Sequence, residues 1–296
     1  MALLDQYYAV IEAGGTKFNC AIVDAARHIV EEIRIPTTTP EETLAACVSF
    51  FEAQRARGYH FSKMGIASFG PLDLDKSSDT WGFITKTPKP HWSFASVAPY
   101  FASALDCEVE IDTDVNAAAL AEYRWGAAQE ASVAVYVTVG TGVGGGVVIN
   151  GKPLHGLVHP EIGHFKVIPP KGIEGVCPFH GNCVEGLASG TALGKIWGQP
   201  SDTLPDDHEA WDKLADVLAQ LCHNLMVGFS AQKIVFGGGV MQKTGMMERI
   251  VYKTSASLKD YIVFPQGKSL DDIICLPGLG TRSGIYGALA LLDHDA

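Results

Sequence analysis

His164, Cys177, His180 and Cys183 are four residues of metal-ligand type in one short stretch, and the last three form a C-x-x-H-x-x-C knot broken by Pro178, Gly181 and Asn182. Zinc in a structural role takes four sulfur or nitrogen ligands in a closed tetrahedron, and turn residues between close ligands let the chain wrap the ion. The competing reading makes the cysteines small buried residues and the histidines surface ones. The interleaved His180 and the upstream His164 favour the metal. Glu161 stands just ahead of His164, so the knot is expected to shape a neighbouring substrate site.

Glycine turns carry a second chemistry. Backbone N–H groups exposed by tight glycine turns form anion nests, and glycine permits an approach that larger side chains block. Such turns occur at Glu12-Ala13-Gly14-Gly15-Thr16-Lys17, at Gly140-Thr141-Gly142-Val143-Gly144-Gly145, and at Gly237-Gly238-Gly239 after the apolar run Ile234–Phe236. The second matches G-x-G-x-x-G, but a dinucleotide fingerprint must open a helix, and Gly146-Val147-Val148-Ile149 continues as strand. No G-x-x-x-x-G-K-[ST] is present, so a P-loop is excluded. Asp114 is the candidate base. It sits between an expected strand, Cys107–Thr113, and a helix, where the helix N-terminus favours its ionised form and where a substrate hydroxyl could give up a proton. The plain alternative is an N-cap.

These residues need elements to hold them. Strands are expected at Tyr7–Ile11, Phe18–Val23, His28–Ile35, Met64–Phe69, Ser132–Val139 and Gly146–Ile149, with a glycine-turn hairpin in each half. Helices are expected from Thr39-Pro40-Glu41-Glu42 to about Arg57, and at Val115–Trp125, Pro205–Val227, Gly245–Leu258 and Ser283–Leu292. The alternation predicts an α/β protein with mixed sheets. We place residues 1–118, joined by a C-terminal helix at 283–296, in one domain, and 119–282, with the zinc loop, in a larger second one.

The charge balance, 22 basic against 33 acidic side chains and no basic run, argues against nucleic acid or anionic membrane as partner. Cys20, Cys47, Cys107, Cys222 and Cys275 lie in apolar or amphipathic segments and read as core thiols in a reducing compartment. Asp5 and Glu12 precede any basic region, so no secretory signal is apparent and cytoplasm is expected. The uncharged stretch from Ala131 to Gly151 is rich in Gly and Thr and reads as strand rather than membrane span.

Taken together, Glu12–Lys17, Asp114-Val115-Asn116-Ala117-Ala118-Ala119, Thr138–Gly146, His159-Pro160-Glu161-Ile162-Gly163-His164, Cys177-x-x-His180-x-x-Cys183-Val184-Glu185 and Gly237–Gly239 occur in the order found in ROK-family sugar kinases, and the chain resembles that family over nearly its whole length. The resemblance implies an actin-like ATPase (ribonuclease H-like) fold of two duplicated α/β domains flanking a cleft. It also implies ATP with Mg²⁺, structural Zn²⁺ on His164, Cys177, His180 and Cys183, and phosphoryl transfer to a sugar hydroxyl. Carried over residue by residue, Asp114 is the base; Thr113, Glu161, His164 and Glu185 hold the sugar. Gly14, Gly15, Thr16, Lys17, Thr138, Gly140, Thr141, Gly142, Gly190, Thr191, Gly237, Gly238 and Gly239 face ATP. Glu12 and His180, with Thr87-Pro88-Lys89-Pro90 and Trp92, look like the bacterial fructokinase branch, which favours fructose over mannose or glucose and suggests a homodimer. Glu12 stands where many members have Asp, so its part in holding Mg²⁺ is open, and Thr113 stands where many have Asn. Repressor members carry a DNA-binding extension, whereas here the first expected strand begins by Tyr7. The absence of H-E-x-x-H and the presence of four ligands argue against a zinc hydrolase, and Asp114 disfavours a non-catalytic sugar sensor.

Overall fold

A computed structural model describes residues 7–265 and 267–292. Asp5 and the end of the helix expected at 283–296 lie outside the described residues. The chain packs as two compact units. One runs to Ala121 and takes in His155–Val158 and the chain from Arg282; the other comprises Glu122–Leu154 and His159–Thr281.

Each unit is built on a five-stranded sheet. In the first, β1 (Tyr7–Ala13), β2 (Lys17–Asp24), β3 (Ile29–Pro36), β4 (Lys63–Ser68) and β5 (Glu108–Thr113) are ordered β3-β2-β1-β4-β5. In the second, β6 (Val133–Val139), β7 (Val143–Ile149), β8 (Lys152–Pro153), β9 (Lys233–Gly237) and β10 (Ile274–Cys275) are ordered β10-β9-β6-β7-β8. Reversing the second order maps strand onto strand. In both, the leading strand pairs antiparallel with its hairpin partner and parallel with the strand that follows the crossover. The duplication expected from two glycine hairpins is therefore present in pairing as well as in turns.

Helices cover the sheets. In the first unit these are α1 (Pro40–Ala56), α2 (Ala98–Leu105), α3 (Asp114–Trp125), which runs on across Ala121 into the second, and α9 (Ser283–Ala290); in the second, α4 (Val184–Ala188), α5 (Gly190–Trp197), α6 (Glu209–Phe229), α7 (Met246–Leu258) and α8 (Leu270–Ile273). Thr39 caps α1 by accepting the Glu42 N–H, and Pro40 enters where no donor is needed. Phe18, Phe51, Trp92 and Phe101 fill the first core; Leu218, Leu221, Leu225 and Phe236 centre the second. Gly65 on β4 has no room for a side chain, because a Cβ there would run into the Ala288 carbonyl of α9, and this close approach lets the C-terminal helix lie on β4. Of the five expected core thiols, Cys20, Cys47 and Cys222 are buried, and Cys107 and Cys275 are partly so.

Near the boundary a buried carboxylate ties two segments together. Glu122 accepts N–H groups from Ala127, Gly278 and Leu279 at 2.8, 2.9 and 3.1 Å. Three donors on one carboxylate compensate for its complete removal from water.

Two expectations differ in detail. Helix α6 starts at Glu209 rather than Pro205, because the Pro205 carbonyl accepts the Trp211 indole N–H and His208 caps the helix through Nδ1. The segment Gly144–Gly146 belongs to strand β7, leaving Gly140–Gly142 as the turn. Among the described residues, no helix is long and apolar enough to cross a membrane.

Candidate active site and metal cluster

Asp114 opens α3 directly after β5, half-buried, and its Oδ1 accepts the neighbouring Val115 N–H at 2.9 Å. The corner around it is braced by Asp112. Its Oδ1 accepts the Thr113 N–H at 2.7 Å and the Asn116 side-chain amide at 2.9 Å, and the second bond spans the position that Asp114 occupies. Thr113 is buried, and its hydroxyl accepts the Asn116 N–H at 3.1 Å, capping the helix. Asp112 Oδ2 accepts from His155 Nε2 at 2.8 Å. That hydrogen bond to Asp112 raises the His155 pKa above the ordinary imidazole value, against a smaller opposing effect of burial.

On the same unit, the first hairpin turn is closed by Gly14 N–H to the Lys17 carbonyl at 2.9 Å. Thr37 pins it by donating its hydroxyl to the Gly14 carbonyl and its N–H to the Thr16 carbonyl. Thr16 is exposed; Gly14, Gly15 and Lys17 are half-buried.

The second unit gathers three of the predicted glycine elements around one cavity of about 740 Å³, a size suited to a nucleotide. Gly140, Thr141, Gly190, Thr191 and Gly239 line it, whereas Thr138, Gly142, Gly237 and Gly238 do not. Gly190 opens helix α5, capped by the Ser189 hydroxyl on Ala192 N–H, and its own N–H reaches the Gly140 carbonyl at 2.7 Å. The helix start and the hairpin turn are thus fixed to each other, and α5 directs the positive end of its dipole at the shared space. The other wall was not legible in the sequence. Ser201, Asp202, Trp211, Gln242 and Lys243 supply it. Lys243 lies 4.5 Å over the Trp211 ring and pairs with Asp206 at 2.6 Å.

The acids predicted beside the metal knot also lie in this unit. Glu185 Oε2 accepts the Val143 N–H at 3.1 Å, which joins helix α4 to the glycine hairpin. Glu161 precedes a 3-10 turn, Ile162–His164, and burial followed by the nearby Glu185 charge raises its pKa. That turn packs directly on β7, since a Cβ on Gly163 would collide with the Val143 carbonyl.

His164, Cys177, His180 and Cys183 converge as one cluster whose donor atoms all lie within 4.8 Å of one another. The two histidine Nδ1 atoms are 3.3 Å apart. Sulfur-to-nitrogen separations are 3.5 Å from Cys183 to His164, 3.9 Å from Cys177 to His164 and 3.8 Å from Cys177 to His180. A tetrahedral zinc with ordinary bond lengths has N–N edges of about 3.3 Å and S–N edges of about 3.6 Å, so these four separations and the donor types suit that ion. Cys183 is also the N-cap of α4, accepting the Gly186 N–H through Sγ, and Glu185 sits in the first turn of the helix it caps.

A family model described as the ROK family matches residues 8–295. A fructokinase of Zymomonas mobilis subsp. mobilis is 49% identical over 96% of this chain and 95% of its own length. A fructokinase of Streptococcus mutans is 38% identical, over 99% of each chain. Among solved structures, a ROK hexokinase from Thermus thermophilus superposes with a TM-score of 0.77 at 26% identity, covering 96% of this chain and 97% of that one. A ROK glucokinase from Streptomyces griseus, solved with glucose and AMPPNP, shares the fold at a TM-score of 0.74 and 23% identity, over 98% and 100% of the two chains. The two mixed α/β sheets therefore belong to the actin-like ATPase architecture.

Proposed function

The chain belongs to the ROK family, and we propose that it is a fructokinase, transferring the γ-phosphoryl group of MgATP to the 6-hydroxyl of D-fructose. The observation that carries the fructose reading is the likeness, along nearly the whole chain, to several proteins named for that activity.

Phosphoryl transfer asks a protein mainly for positioning and for charge stabilisation. Asp114 takes the proton of the sugar hydroxyl as its oxygen attacks phosphorus, and the bond from the γ-phosphorus to the bridging oxygen breaks to release ADP. The cavity between the Gly140 turn, α5 and Gly239 holds the nucleotide, and the α5 N-terminus favours the anionic phosphates. Glu161, Glu185 and the free edge of His164 bind sugar hydroxyls. His164, Cys177, His180 and Cys183 would hold zinc, and its role would be structural, because four protein donors would leave no open position for water. Burial pushes the Cys183 thiol up to about 11, and a bound cation would supply the charge that makes it a thiolate at neutral pH. Through the Cys183 cap on α4, the knot orients Glu185 and, by the Val143 contact, the hairpin turn.

The test is ADP release measured across D-fructose, D-mannose and D-glucose, with Asp114→Asn alongside. Fructose is expected to give the highest kcat/KM, and Asp114→Asn to lower kcat by about 10³-fold or more while ATP binding persists. Glucose preference overturns the substrate assignment; near-normal turnover in Asp114→Asn overturns the base.

A further inference from the structure

His155 and Asp112 take no part in the proposed reaction, yet they are hydrogen-bonded to each other beside the candidate base. Asp112 is buried, with 3% of its surface exposed, and each of its oxygens is used. Oδ1 holds the Thr113 N–H and the Asn116 amide; Oδ2 holds His155 Nε2 at 2.8 Å. Thr113 precedes Asp114 and Asn116 lies two residues after it, so the carboxylate ties the backbone N–H on one side of the base to a side chain on the other. His155 is the one partner of this carboxylate, among the described contacts, that comes from outside the corner. It arrives on the His155–Val158 segment, which packs with the first unit although the chain on either side of it belongs to the second. The Asn116 amide nitrogen is also 3.4 Å from Nε2. A ring nitrogen that donates to Asp112 cannot accept there, so that approach is packing rather than a hydrogen bond.

We propose that His155 is a positioning residue for phosphoryl transfer, which through Asp112 holds the β5–α3 corner in the conformation that presents the Asp114 carboxylate. The inference rests on the reading of Asp114 as the base. Its physical content is that a buried carboxylate with an incomplete donor set relaxes toward other donors, and the backbone it braces moves with it. A shift of about 1 Å at a reacting group costs about 100-fold in rate.

The charge of the ring adds a signature. Asp112 is the charged group facing His155, and Asn116 beside it is neutral. Because Asp112 raises the imidazole pKa, the ion pair is complete below the ordinary imidazole value and loses its charge as pH rises through the raised one. The Nε2–H remains in the neutral ring, so above that pH the bond persists without charge assistance.

Four variants and one spectrum test this. His155→Ala removes the donor, and kcat with fructose is expected to fall about 10- to 100-fold while the KM for ATP changes less than about twofold. His155→Gln restores an uncharged donor and is expected to recover much of kcat while removing any pH dependence that comes from titration of the ring. In proton NMR the His155 ring is expected to titrate above the ordinary histidine range, and Asp112→Asn to bring it back; this reading does not depend on activity. The side chain of His155 is 45% exposed, so its variants fold even where Asp112→Asn does not. If Asp114→Asn is inactive but His155→Ala keeps wild-type kcat and pH profile, the positioning role is overturned alone. Full activity in Asp114→Asn overturns the base assignment and this inference with it. An ordinary titration of His155 in the wild type overturns the ion pair.

Discussion

Gly142→Ala separates the proposed sugar site from the fold with a single methyl group. Gly142 is not among the glycines with positive φ, so alanine adopts its backbone conformation without strain. The added Cβ would stand 2.7 Å from Glu185 Oε2 and 3.6 Å from its Cδ. The shortfall from a comfortable contact is about 0.8 Å, and the group that yields is the end of a flexible, half-buried side chain. Moving it that far breaks the 3.1 Å bond from Val143 N–H, a charge-assisted hydrogen bond of about 1.5–3 kcal/mol. At about 1.4 kcal/mol per factor of ten, that is about 10- to 100-fold in kcat/KM for fructose. The displaced carboxylate regains water, so the melting temperature is expected to fall by no more than about 4 °C. Coupled ADP assays at low fructose, with a thermal melt on the same sample, measure both. A kcat/KM within twofold of wild type would show that the Val143 contact does not set the working position of Glu185.

Gly163→Ala is the contrasting case: its Cβ meets the Val143 backbone carbonyl, which cannot swing aside, so a loss of about 4 kcal/mol or more is expected, read as failure to fold or as a large drop in melting temperature. Cys183→Ser keeps a good N-cap for α4 but loses a thiolate; zinc released to a chromogenic chelator is expected to fall from one equivalent toward none, with a raised fructose KM and an ATP KM close to wild type. Chelation of the wild-type protein is expected to abolish activity that Mg²⁺ alone does not restore, whereas a fully active, zinc-free protein would contradict the structural role.

The duplicated fold could be read from the chain because its signals are local. Glycine turns between apolar alternations mark both leading hairpins, and Thr39 with Pro40 marks the start of α1. The knot was legible for the same reason: Cys177, His180 and Cys183 crowd into one turn, and only His164 joins from a distance. Helices α4 and α5 escaped notice because they are short and begin among glycines that read equally well as loop; the caps that define them, Cys183 and Ser189, are known as caps only once their partners are placed. The cavity wall of Asp202, Trp211 and Lys243 has no shared sequence signal, being assembled from segments that the fold brings together. His155 is hidden likewise. Nothing near it in sequence announces that its partner is Asp112, on a strand that ends well before it.

The bonds from Glu122 to Gly278 and Leu279 bear on the topology of the whole second unit. Its polypeptide begins at Glu122, leaves for His155–Val158 and returns, and ends at Thr281, so one side chain fastens its first residue to its last segment like a drawstring. Everything threaded between them, long or short, is a loop whose mouth is already tied. Such a module tolerates insertion at its far turns, since added length there leaves the knot alone, whereas a one-residue deletion between Cys275 and Leu279 would pull it open.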